Sequence, residues 1–67
     1  MAVARVTKIT AASPESFEAA IREGLNRANQ TVRGITGLHL IEQKAKVENG
    51  RIAEYRVTME ITFVLEA

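Results

Sequence analysis

Toward the end of the chain, Tyr55, Val57, Met59, Ile61, Phe63 and Leu65 occupy every second position, opposite Arg56, Thr58, Glu60, Thr62, Val64 and Glu66. Alternation of period two puts one set on each face of a pleated strand, so the apolar set is expected to pack on a helix. A strand of this length exceeds the usual ~5–6 residues, and part of it must extend past whatever one helix covers. Its exposed edge calls for a partner chain. Just upstream, Asn49-Gly50 is the strongest short hairpin signal, because both residues tolerate positive φ in a type I′ turn. Residues 38–47 carry no helix punctuation, and Leu38 and Leu40 alternate with His39 and Ile41, which predicts a second strand running antiparallel to the last.

The first half reads as strand and then helix. Val3, Val6, Thr7, Ile9 and Thr10 are β-branched, which favours a strand over residues 3–10. At Ser13-Pro14-Glu15-Ser16, Ser13 is expected to accept a hydrogen bond from an exposed helix amide. Pro14 suits the first helical position and Glu15 the positive end of the dipole. Phe17, Ala20, Ile21, Gly24, Leu25, Ala28 and Val32 then recur at spacings of three and four, one stripe of a helical wheel. Glu18 with Arg22 and Glu23 with Arg27 are i to i+4 pairs for the solvated face. Arg33 is expected in the last turn, with Gly34 ending the helix at positive φ. Gly24 costs about 1 kcal/mol relative to alanine inside a helix, which points to close backbone packing there. The expected fold class is α+β, a β-α-β-β chain with a three-stranded antiparallel sheet wrapped on one helix, forming a single domain over residues 1–67.

A chain of 67 residues buries only about 60% of the surface its unfolded form exposes, so its core needs a supplement. The chain has no cysteine, which excludes disulfides, thiol catalysis and thiolate metal sites. Hydrophobic residues make up 46% of the sequence, more than a small monomer readily hides, so self-association is the favoured supplement. The net charge of +1 gives no single-sign field to draw in nucleic acid. No apolar run approaches the roughly 20 residues that span a bilayer, so no membrane partner is expected and the protein is placed in the cytoplasm.

The order of these segments, and their local words, resemble one known family. Ser13-Pro14-Glu15-Ser16-Phe17-Glu18-Ala19-Ala20-Ile21, Thr31-Val32-Arg33-Gly34-Ile35, Ile41-Glu42-Gln43 and Tyr55-Arg56-Val57-Thr58 look like the segments at the same places in the dodecins, across essentially the whole chain. The resemblance implies a hollow shell of twelve identical subunits, with flavins (FMN, riboflavin or FAD) bound in pairs at two-fold interfaces and stored without turnover. In the typical flavin binder a tryptophan three positions beyond the glycine of the Arg-Gly-Ile exit stacks on the flavin ring. A glutamine after the final-strand tyrosine bonds the ring's edge. Here those positions hold Gly37 and Arg56. An aromatic stack contributes about 0.5–1.5 kcal/mol beyond area burial, so flavin is expected to bind weakly or not at all. Arg56 presents five donors and no acceptor, suited to a flavin carbonyl or a phosphate, or to an ion pair with Glu54 or Glu60 of a neighbour. Lys44 stands where some family members carry a basic residue near the ligand's phosphate, whereas a second such position is Val64. The expected ligand pocket gathers Gly37, Gln43, Lys44 and Arg56 between subunits.

Outside that pocket the candidates are few. His39 is the single histidine, and no second ligand lies at recognisable metal spacing, so an ordinary hydrogen-bonded surface or interface histidine is the favoured reading. In a closed oligomer, copies of one residue converge on rotation axes, so His39, Glu42 or Glu60 could become a cluster, and carboxylates gathered that way could hold calcium or magnesium through oxygen ligands. This is the alternative function: a shell without flavin, serving as a structural particle or metal-ion buffer. Ser13 and Ser16 are explained as helix-start residues with no base beside them, Gly34 and Gly50 as turn residues, and Met59 as core. No enzymatic activity is expected.

Overall fold

The computed structural model describes residues 3–65, arranged as β1 (Val3–Ser13), α1 (Phe17–Thr31), β2 (Ile35–Glu48) and β3 (Arg51–Leu65). The strands form one antiparallel sheet in the order β1-β3-β2, with the last strand in the middle, and the helix lies on one face. The expected fold class is therefore observed, with every strand longer than the residue patterns alone implied. Glu66, expected on β3, lies outside the described residues.

The helix begins later than expected. Ser16, not Ser13, is the N-cap: its extended backbone (φ −171°, ψ 167°) lets its hydroxyl accept from the Ala19 N–H at 2.9 Å. Ser13 instead ends β1 opposite Tyr55, and its hydroxyl accepts from the Glu15 N–H at 3.0 Å, a local turn that holds Pro14 and Glu15 ahead of the helix. The other end is also earlier. Val32 is the C-cap, its N–H donating to the Ala28 carbonyl at 3.0 Å, so Arg33 lies beyond the last turn. Gly34 does take positive φ (76°), and its carbonyl accepts from the Val64 N–H at 3.0 Å, so this glycine turns the chain directly into β2.

Ala20, Gly24 and Ala28 are the buried line of the helix, and Val57, Met59 and Ile61 are the buried residues of β3. Ile9, Ala11, Phe17, Ile21, Leu38 and Leu40 close around them. Gly24 is required by contact: a Cβ there would overlap the Met59 Cε and lie 3.1 Å from the Ala11 Cβ. Leu25, expected within the stripe, sits at its margin and is exposed, because the small residues on either side bring the helix down along their own line. Of the two expected helix ion pairs, Glu18 and Arg22 meet at 3.2 Å; Glu23 and Arg27 do not pair. Phe17 packs edge-on against Tyr55 with ring centroids 5.0 Å apart.

Asn49 (φ 53°) and Gly50 (φ 76°) form the two-residue hairpin turn, with Glu48 opposite Arg51. β1 ends against Tyr55, so the first residues of β3 pair with β2 alone, and this two-stranded arm projects past the helix. Residues 41–53 are all exposed, and the molecule measures 52 × 19 × 13 Å.

Candidate functional site

The second face of the sheet carries no helix. Alternation along β3 turns Arg56, Thr58, Glu60 and Thr62 onto it, and cross-strand register completes four rungs. From the arm inward these are Ala12-Arg56-Lys44, Thr10-Thr58-Glu42, Lys8-Glu60-His39 and Val6-Thr62-Gly37, each in the order β1, β3, β2.

Three local devices order the side chains. Arg56 Nε donates to Glu54 Oε1 at 2.5 Å, and Lys44 Nζ lies 3.7 Å from Glu42 Oε2, each pair linking alternate residues of one strand. His39 Nδ1 faces Glu60 Oε1 at 3.5 Å across the β2–β3 ladder. The hydroxyls of Thr10 and Thr58 meet at 3.3 Å. The ion pairs are solvent-exposed, so each contributes at most about 1 kcal/mol, and their charged groups stay available to a ligand. The Arg56 partner is thus Glu54 of the same chain.

Of the four expected pocket residues, Lys44 and Arg56 are direct cross-strand neighbours. Gly37 shares their face but lies opposite Thr62, six residues along β3 from Arg56, about 20 Å at the usual strand rise. Gln43 pairs with Val57 and so belongs to the helix-side face. A pocket containing all four must therefore draw them from more than one copy. Gly37 itself leaves a notch: a Cβ there would meet only Thr62, with Cβ at 3.7 Å and Oγ1 at 4.0 Å, both ordinary contacts.

The alignment of His39 with Glu60 and the threonine pair were not visible in the residue pattern. Counting outward from the Asn49-Gly50 turn would set Lys44 against Tyr55. In the structure the register shifts between Lys46 and Val47, shifts again between Leu40 and Glu42, and once more between Ile35 and Gly37. The first of these shifts sets Lys44 opposite Arg56, and the second sets His39 opposite Glu60.

Among the described residues no group of three or more histidines or carboxylates could hold a metal ion within one chain, and no helix is long and apolar enough to cross a membrane.

Comparison with known proteins bears on the same residues. The family model described as Dodecin matches residues 3–66. The calcium dodecin of Mycobacterium tuberculosis is 35% identical over 63 residues, 94% of this chain and 89% of that protein. The dodecin of Thermus thermophilus is 31% identical over 64 residues, 96% and 93% of the two chains. Among solved structures, dodecin from Streptomyces davaonensis superposes with a TM-score of 0.93 at 38% identity, covering 98% of this chain and 97% of that one.

Proposed function

The chain belongs to the dodecin family, and from that premise we propose that it assembles into a hollow homododecameric shell that binds and stores small planar or phosphorylated molecules without converting them. Flavins (FMN, riboflavin, FAD) are among these ligands and are bound weakly. The observation that carries this reading is the uncovered sheet face, with paired cations at Lys44 and Arg56 and an open notch about 20 Å away at Gly37. These two features complement the two ends of a phosphorylated flavin, and they meet only when copies face one another. Lys44 and Arg56 offer donors alone, suited to phosphate or carbonyl oxygens. Gly37 offers no ring to stack on, so the affinity is low.

Titration calorimetry of FMN and riboflavin, on protein whose mass is fixed by light scattering, tests the reading. Expected is saturable binding that Gly37→Trp strengthens by about tenfold or more, roughly 1.4 kcal/mol. The notch accepts a side chain without backbone strain, so that variant should fold. Absence of heat from an assembled sample, in both proteins, would remove flavin from the account.

A second reading is favoured by the 35% identity to a protein named for calcium. In it, carboxylates such as Glu42 and Glu60, both on the uncovered face, converge from several copies on a symmetry axis and bind the ion through oxygen. Millimolar calcium should then raise the melting temperature and a chelator should reverse the rise. An unchanged melting curve, with no heat of calcium binding, would exclude this second role.

A further inference from the structure

We propose that His39 is a ligand-contacting residue whose imidazole forms the aromatic wall of the Gly37 notch and stacks on a planar heteroaromatic ring, with Glu60 holding the imidazole in place. This rests on the reading of the uncovered face as the ligand-binding face.

Gly37 and His39 are alternate residues of β2 on that face, opposite Thr62 and Glu60, and about 7 Å apart along the strand. Side chains stand roughly perpendicular to a sheet, so the His39 ring rises beside the notch while nothing rises from Gly37 itself. Gly37 does not adopt positive φ and a Cβ there would be tolerated, so backbone conformation does not account for glycine at this position. A glycine inside a strand commonly marks a place where another group approaches closely. The notch has Thr62 as a side wall and the exposed Val6 beyond it in the same rung. A planar ring standing between the positions of Gly37 and His39, at about half of their spacing from each, comes within stacking distance of the imidazole.

The imidazole is placed for this task. Its side chain is 74% exposed, so it is not committed to the core, and its Nδ1 is engaged by Glu60 Oε1 at 3.5 Å. Among the described residues no other polar contact holds the ring, and most of its surface is open to solvent. Histidine is among the side chains on which flat nitrogenous rings stack. Lys8 on β1 is the remaining charged group of the rung, on the far side of Glu60. The class of ligand is thus a planar heteroaromatic, with His39 replacing by position the ring that residue 37 lacks.

Riboflavin is the probe of choice, because it carries no phosphate through which Lys44 or Arg56 could dominate the affinity. Its fluorescence is to be followed on titration into the assembled wild type, His39→Ala, His39→Phe, Glu60→Gln and Gly37→Trp, with each particle mass checked by light scattering. Expected is a two- to tenfold loss of affinity in His39→Ala with reduced quenching of the bound flavin, retention in His39→Phe, and a smaller loss in Glu60→Gln. Wild-type binding and quenching unchanged in His39→Ala would overturn the role of His39 and leave the ligand-binding face standing. Absence of riboflavin binding in both wild type and Gly37→Trp, at intact particle mass, would overturn both.

Discussion

Met59 and Gly24 set the position of the helix. Met59 is fully buried and its methyl group occupies the space that a side chain at Gly24 would need. Removing the side chain in Met59→Ala should lower stability by about 2–5 kcal/mol, measured as a shift of the urea midpoint at unchanged slope. Gly24→Ala adds helix propensity of at most about 1 kcal/mol but crowds Met59 and Ala11 and pushes the helix off them, an overpacking that costs about 1–3 kcal/mol. Net destabilisation of about 1 kcal/mol is expected, and a more stable variant would show that the helix can lift without cost. Both residues could be read from the sequence, Met59 from alternation and Gly24 from its cost inside a helix. Leu25 could not, since a helical wheel gives the direction of a side chain and not how deeply its neighbours let the helix settle.

At the scale of elements, the order β-α-β-β and the hairpin were legible because each rests on chemistry local to a few residues: period-two alternation in β3, Asn49-Gly50 at the turn, the apolar stripe of α1. The helix start was not, because two serines compete for the same role and only the turn that occupies Ser13 decides between them. Ser16→Ala should therefore cost about 1 kcal/mol in thermal or urea unfolding, with the loss traced to α1 by increased amide exchange in its first turn. Gly50→Val places a β-branched residue at φ 76° and should cost at least about 1 kcal/mol. The candidate site was legible only in part. Its residues could be named, but the register irregularities of β2 determine which of them stand together, and bulges leave no dependable mark in a short pattern of apolar and polar residues.

For the molecule as a whole, one helix covers one face of a sheet whose arm runs far beyond it. Val47 and Ile52 stand opposite each other near the tip, 60% and 50% exposed, and Val3, Val6, Ile41 and Leu65 add to the apolar surface left in water. A core this small with that much exposed apolar area is the arrangement expected of a subunit, whose remaining burial comes from its own copies. Thr62 lies on the central strand of the uncovered face, so Thr62→Lys should repel its own copies there and reduce the particle mass; an unchanged particle would place the contacts elsewhere. Self-association could be inferred from length, lack of cysteine and hydrophobic content, whereas the pairing of surfaces depends on geometry that no single chain contains. The most direct test is the mass of the ligand-free protein at micromolar concentration by light scattering or sedimentation equilibrium. The account predicts one homogeneous particle of twelve chains, and a mass corresponding to one or two chains would contradict it.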